Sequence, residues 1–433
     1  MPEPQQRFSL LQAHSWRLQG RAMPLNLQQR RESLMKNRWA ALAIIFIAFL
    51  QFTLNWFCIV PAFGDIAKEM QLSFAQVGVI VGTFIAGYGI AHIPGGWLAE
   101  RYGMRNAMLF GIVVETIGAA VSAWAPSYEI LLAGRLLCGI GGSVFIGSAI
   151  GLTAAWFRGK ELATANGVIQ GGAFTLGAAI GLFGWGPVVA LFGWREGLAI
   201  GAGIGLATLV FVLALFPTPP SGSGDVLEGH HLGKNSLRRV FGNPTLWVMG
   251  LALLGAYGSY FSAAQLLPHY AQATLNVDAS VAESIGAILM FSGIAGGFIG
   301  GWLSDRAFGL LPTFVGACAV EALMFFLIPH VGLLGLQIAA AVIGASLIAA
   351  FVPWVSIPGE RDSGFLISDV PTAIGLMLSI VAIGGATVPP LFTMIADGWG
   401  FDTAWVFQGA ITIGFAFLAF LSRTKRAVRI KPA

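Results

Sequence analysis

Charge is scarce in this chain of 433 residues. Asp, Glu, Lys and Arg together make up only 10% of it, where a soluble domain carries roughly 25%. That shortfall excludes a large water-soluble domain. Cysteine is scarcer still. Cys58, Cys138 and Cys318 each fall inside an apolar run. Their scatter excludes a disulfide framework and offers no metal-ligand spacing. The chain also lacks a phosphate-cradling Walker loop and any nucleophile–base pairing at usable spacing. An enzyme, an ATP-driven pump, and a metal or other cofactor are therefore not expected. The net charge of +4 says nothing of nucleic acid, because the basic residues sit in short loops and tails.

Hydrophobic residues are abundant, at 56% of the chain. A spanning helix needs roughly 20 mostly apolar residues, and twelve runs qualify. The first six cover 39–63, 74–99, 105–124, 127–157, 161–190 and 196–216. The other six cover 246–270, 280–303, 310–330, 332–357, 369–396 and 403–422. Between them lies 217–245, rich in proline, glycine and charge, which reads as a flexible linker. The expected organisation is an N-terminal tail 1–38, a bundle 39–216, the linker 217–245, a bundle 246–422 and a C-terminal tail 423–433. The N-terminal tail has no apolar core of a signal peptide. It reads as disordered or as a short amphipathic surface helix, and Met35 is a plausible native start.

One phrase occurs twice. Gly95-Gly96-Trp97-Leu98-Ala99-Glu100-Arg101 returns as Gly300-Gly301-Trp302-Leu303-Ser304-Asp305-Arg306, about half the chain later. A period that long points to two similar halves. Charge gives their orientation. With the N-terminus inside, all but Lys68, Arg195 and the intrahelical Arg135 of the 24 Lys/Arg residues fall on the inner side. This places both termini, the linker and both copies of the phrase in the cytoplasm of a cell (inner) membrane protein. The two halves are then parallel repeats. Helices two, five, eight and eleven are glycine-rich, with Gly293, Gly297 and Gly301 at four-residue spacing. Such spacing lets helices pack closely, as static contacts or as a sliding joint.

Gly96, Leu98, Glu100, Arg101, Gly103 and Arg105 make a loop of the form G-x-L-x-(D/E)-R-x-G-x-R after the second of twelve helices. This resembles the signature of the major facilitator superfamily. Gly301, Leu303, Asp305, Arg306 and Gly309 resemble it again, and Arg135-Leu136-Leu137-Cys138-Gly139 is similar to that family's helix-four motif. The likeness covers about 39–422. It implies an all-α membrane protein with twelve transmembrane helices in two pseudo-symmetric six-helix bundles. The acid of the first copy is Glu100 where the family usually has Asp, and Met104 stands at a usually basic position. Drug/proton antiporters of the superfamily carry a Gly-Pro pair in mid-helix five. Here that stretch is Gly172-Ala173-Phe174-Thr175, which argues against a drug exporter. Nitrate porters carry an Arg inside helices two and eight, and this chain has neither.

The resemblance implies that the loop acid meets a helix of the other half. Gly96, Glu100, Arg101 and Arg105, and Asp305 and Arg306 from the second copy, are read as a cytoplasmic gate; the alternative is a loop whose charges only set topology. It also implies a cavity lined by helices one, four, seven and ten. Candidate solute contacts there are Gln51, Asn55, Trp56, Arg135, Tyr257, Tyr260, Gln265 and Trp354, with Asn166 and Gln170 near the inner mouth. An amide-and-aromatic lining suits a small organic solute, although Trp and Tyr also anchor at lipid interfaces. Arg135 would hold a carboxylate or partner a proton site, or else bind backbone carbonyls of helix one. Charges inside a membrane default to functional hypotheses. Glu115 and Glu321 each lie twelve residues after a loop glycine, Gly103 or Gly309. They, His92 and His269 are candidates for proton coupling, or are hydrogen-bonded structural groups.

The expected protein is a secondary active transporter that works by alternating access. It carries a small polar organic solute, an organic monoanion such as a carboxylate, with a proton as symport partner. The alternatives are efflux of amphipathic compounds by proton antiport and a non-transporting sensor on the same scaffold. A monomer in membrane lipid is expected, with no nucleic-acid partner.

Overall fold

The structure is a computed structural model that describes residues 25–159, 161–216, 236–360 and 363–422. The expected N-terminal tail up to residue 24, the linker from 217 to 235 and the C-terminal tail from 423 lie outside the described residues. Among the described residues, every regular element is helical, and twelve are long and apolar enough to cross a membrane. Six precede the linker: α1 (Arg38–Met70), α2 (Gln76–Tyr102), α3 (Met104–Ala123), α4 (Tyr128–Phe157), α5 (Leu162–Gly184) and α6 (Trp194–Leu215). Six follow it: α7 (Pro244–Leu275), α8 (Ser280–Ala307), α9 (Leu310–His330), α10 (Leu333–Gly359), α11 (Ile367–Trp399) and α12 (Phe401–Leu421). A short helix, Ser236–Phe241, leads into α7.

Local chemistry sets the boundaries. Ser73 and Gln76 form a capping box at the start of the helix that becomes α2. Asn243 accepts from the Thr245 backbone N–H and Pro244 occupies the first turn, so α7 starts there. Helical backbone begins at Leu25, well ahead of the expected residue 39. The α1 path turns through Val60–Ala62 at Pro61 and continues to Met70. The run expected to reach 190 stops at Gly184, because Gly186-Pro187 opens a separate short helix.

The duplication is visible in the backbone. Gly103 ahead of α3 and Gly309 ahead of α9 both hold φ at +86°. That left-handed conformation favours glycine, so the two loops turn alike because both copies keep it.

The glycine-rich helices meet between the halves. A methyl on Gly171 (α5) would lie 2.6 Å from the Gly297 Cα of α8, and one on Gly301 would lie 2.8 Å from the Thr164 Cα. A methyl on Gly96 (α2) would overlap the Thr372 backbone of α11. Backbone therefore packs on backbone at the α5–α8 and α2–α11 joints. α5 itself is interrupted by π-helical segments, Val168–Phe174 and Ile180–Gly184. The end of α8 is a third, Leu303–Ala307, and it carries Asp305. Such segments break the regular ladder at positions where helices are often put to use.

Candidate functional site

The hydrogen bonds that join the two halves cluster on the side that carries the repeated loops, here called the loop side. Asp305 reaches the start of α5. Its Oδ2 accepts from the Thr164 N–H at 2.6 Å and its Oδ1 from the Ala163 N–H at 3.3 Å. The first N–H groups of a helix have no intrahelical partner, and a carboxylate there also meets the positive end of the dipole. Arg306 donates to Glu161 at 2.9 Å, and Glu161 accepts from Arg38 at 3.2 Å on its other oxygen. Arg158 donates to the carbonyls of Glu360 and Phe365 at 2.9 and 2.8 Å. Deeper in, Asn166 Nδ2 donates to Ser356 Oγ at 2.8 Å, from α5 to α10.

The first copy of the phrase is used differently. Gly96 seats α11, as above. Glu100 lies beside Ser236, Asp369 and Arg239. Asp369 already occupies the start of α11, where it accepts from the Leu366 N–H and takes a two-point bond from Arg239 at 2.6 and 3.0 Å. That bond holds the Arg239 guanidinium more firmly protonated than usual. Glu100 therefore meets a like charge bridged by Arg239, whereas Asp305 meets bare N–H groups. Arg101 and Arg105 do not reach the other half. Arg101 lies over the rings of Trp97 and Tyr102, each at 5.7 Å. Arg105 donates to the Leu213 carbonyl of α6 at 3.4 Å. The expectation that the first copy supplies a full latch is corrected to Gly96 and Glu100 alone, and the second copy makes the stronger contacts.

Asp305→Asn keeps the shape and removes the charge. It is expected to raise the loop-side-open population about 2–30-fold, corresponding to ~0.5–2 kcal/mol for a capping acid. Thiol labelling of a cysteine placed at the buried Ala163, in a background without native cysteines, reads this directly.

Away from the gate the halves face each other across aromatic side chains. Trp56 is half-buried, stacked on Phe84 at 4.6 Å and set against Tyr88 at 5.1 Å. Phe174 of α5 meets Trp56 edge-on at 6.2 Å. From α7, Tyr257 and Phe261 pair at 4.8 Å, and both are half-buried. Tyr257 and Phe261 lie against Gly385 of α11, and Tyr88 lies within electrostatic range of Tyr257. Trp56 and Tyr257, both expected as solute contacts, are half-buried among these rings, and Tyr88 lies beside Trp56.

Other expected contacts point elsewhere. Gln51 is 1% exposed and donates from Nε2 to Glu115 Oε2 at 3.2 Å. Asn55 is 2% exposed and lies alongside Glu115 and Gly201 of α6. Both face α3 and α6 inside the first half, because that is where a buried carboxylate offers them a partner. Arg135 is 3% exposed, and it donates to the carbonyls of Asn55 and Trp56 at 3.4 and 2.9 Å. Those carbonyls belong to the end of the helix that finishes at Phe57, and they lack intrahelical donors. Trp354 is fully buried, with Nε1 donating to the Met249 carbonyl of α7 at 2.7 Å. Tyr260 is 8% exposed and lies near Glu321. Gln265 is exposed.

The proton candidates separate as well. Glu115 is held by Gln51, with Arg135 close by. Glu321 is fully buried, and neither carboxyl oxygen has a hydrogen-bond partner among the described residues. His269 is exposed, with its ring 6.1 Å from Phe401. His92 is 2% exposed between α2 and α4, and its Nδ1 is 2.7 Å from Ser143 Oγ.

The family model described as Major Facilitator Superfamily matches residues 45–361. The chain belongs to that superfamily. It is therefore built as a multi-pass membrane transporter and not as an enzyme. The chain is 27% identical over 387 residues to human monocarboxylate transporter 11, covering 82% of this chain and 77% of that protein. It is 26% identical over 216 residues to the methylenomycin A resistance protein of Bacillus subtilis, covering 48% of this chain but only 44% of that protein. The fold is that of the E. coli fucose:proton symporter, with a TM-score of 0.74 at 18% identity, covering 90% of this chain and 99% of that one. Sequence reasoning did not find Glu161, Arg158, Asp369 or Arg239, which make the loop-side contacts around the two copies of the phrase. The repeat held a signal for Asp369. If the second copy caps α5, the first must meet the equivalent start in the other half, which is α11.

Proposed function

We propose that the protein is a secondary active transporter for a small organic monoanion, such as a monocarboxylate, moved together with a proton. The observation that carries alternating access is the contrast between the two zones. Charged groups, helix starts and bare glycine backbone join the halves on the loop side, while further in each half carries its own cluster of half-buried aromatic rings. A joint of this kind opens by rocking of the halves around a site between them. The loop side is read as cytoplasmic from the excess of Lys/Arg there, with both termini inside and the chain in the cell membrane as a monomer. The monoanion reading draws on the likeness to a monocarboxylate transporter over 82% of the chain. It does not rest on Arg135, whose donors serve α1. A second reading, efflux of an amphipathic compound by proton antiport, is favoured by the likeness to an antibiotic-resistance protein and by the aromatic lining.

Reconstitution into proteoliposomes separates them. Under an inward proton gradient, uptake of radiolabelled lactate or pyruvate above the gradient-free level supports symport. Gradient-driven movement of amphiphiles against the proton, with no carboxylate flux, replaces it with the second reading. Absence of flux across a broad solute panel overturns both.

A further inference from the structure

His92 sits at the meeting point of three helices. One turn before it on α2, Tyr88 presents its ring edge-on at 4.3 Å between centroids. Across on α4, Ser143 Oγ holds Nδ1 at 2.7 Å. On α11, Gly375 is pressed so close to the His92 carbonyl that a methyl there would overlap it. Nε2 has no hydrogen-bond partner among the described residues, although the side chain is 98% buried. A buried polar atom left without a partner is uncommon and calls for a reason. Tyr88 in turn belongs to the ring cluster with Trp56, Phe84 and Phe52 that faces Tyr257. The open nitrogen therefore belongs to a side chain one helical turn from that ring cluster, on the stretch of α2 that leads to Gly96 and Glu100.

We infer that His92 is the proton-binding residue of the transport cycle, and that it takes its proton together with an anionic solute in the cleft. This rests on the symport reading above and names the group that carries it. With Nδ1–H donating to Ser143 Oγ, Nε2 holds the lone pair. A hydronium ion delivers its proton there: its O–H bond breaks, the Nε2–H bond forms, and water leaves an imidazolium behind. In a dry ring-lined site an isolated charge is strongly disfavoured. A carboxylate above Tyr88 supplies the opposite charge that offsets this. Conversely the carboxylate enters an apolar cleft more readily when imidazolium lies below it. Each ligand thus raises the affinity for the other by the same factor, which is the thermodynamic content of symport.

The surrounding helices offer no closer charge to compete. On α4 the nearest charged group is Arg135, eight residues from Ser143 and bound to the α1 carbonyls, with Glu129 further off. On α2 the nearest are Glu100 and Arg101, eight and nine residues further along. On α11 it is Asp369, six residues before Gly375 and bound to Arg239. On α3, Arg105 serves α6 and Glu115 is held by Gln51.

The test uses the full chain in proteoliposomes, with lactate, pyruvate and phenylacetate as probes. His92→Gln keeps a hydrogen-bonding side chain that stays neutral at every pH. Expected is a loss of at least ~10-fold in proton-driven accumulation and a raised half-saturation for the anion, which loses the imidazolium below it, with counterflow exchange at saturating solute within about 3-fold of wild type, as for a coupling change of ordinary size. Ser143→Ala should keep coupling and displace its pH profile. If wild type and His92→Gln respond alike to the gradient, the assignment is overturned. It is equally overturned if counterflow at saturating solute falls together with accumulation, since that marks a structural role. Wild type that exchanges the probes but ignores the gradient removes the symport reading itself, and the assignment with it.

Discussion

Gly297→Leu is expected to leave both halves folded and to cut solute flux by about 5–150-fold, because the loop side can no longer close. The Cβ is already the obstacle. A methyl there would overlap the Gly171 backbone, and backbone cannot rotate away as a flexible side chain can. Overpacking costs ~1–3 kcal/mol, and in a two-state equilibrium that corresponds to the stated range. The three atoms nearest to such a methyl all belong to Gly167 and Gly171 of α5, so the strain falls on the joint. Proteoliposome uptake and thiol labelling at Ala163→Cys should report it together, with labelling rising as uptake falls. Gly316→Leu on α9 is the control. Nothing lies within 4 Å of a methyl at that position, so flux there should match wild type. Normal transport by Gly297→Leu would show that the α5–α8 contact is not part of the cycle.

The fold was legible because its determinants are long and local. A membrane span is set by roughly 20 apolar residues, and the repeated phrase exposed the two-fold plan. Ends were less legible wherever proline or glycine redirected a helix without ending its apolar run. Pro61 turns α1, and Gly186-Pro187 cuts α5 short. The gate was half legible. The phrase marked one side of each contact, but the partners Glu161 and Asp369 sit at helix starts with no pattern of their own. Within the site, spacing could put Gln51 and Asn55 on a helix face but could not say which neighbour that face meets. What decides it is a single buried carboxylate on α3. Trp354 misled for a related reason, since an interior Trp serves equally well as a wall or as a donor to a neighbouring backbone.

Arg135 is where the two kinds of reading diverge most sharply, and Arg135→Ala is expected to be severe for a reason unrelated to solute. The guanidinium satisfies the Asn55 and Trp56 carbonyls where the first helix ends, stacks over Phe84 at 4.8 Å and lies near Glu115. Removing it leaves the Trp56 carbonyl without a donor and the Asn55 carbonyl with only the Cys58 thiol. Each buried acceptor left unsatisfied costs ~1–3 kcal/mol. That should lower the thermal unfolding midpoint by roughly 5–15 °C and reduce the amount of folded protein in the membrane. Arg135→Lys keeps the charge but not the fork that spans two carbonyls, so it should fall between. Adding Glu115→Gln to Arg135→Ala should recover part of the loss, since the unpaired carboxyl is then gone. A solute-binding arginine predicts the opposite pattern: an unchanged unfolding midpoint, a raised KM for monocarboxylates and no rescue by Glu115→Gln. Thermal unfolding of the purified single and double variants, read beside their uptake kinetics, decides between the two.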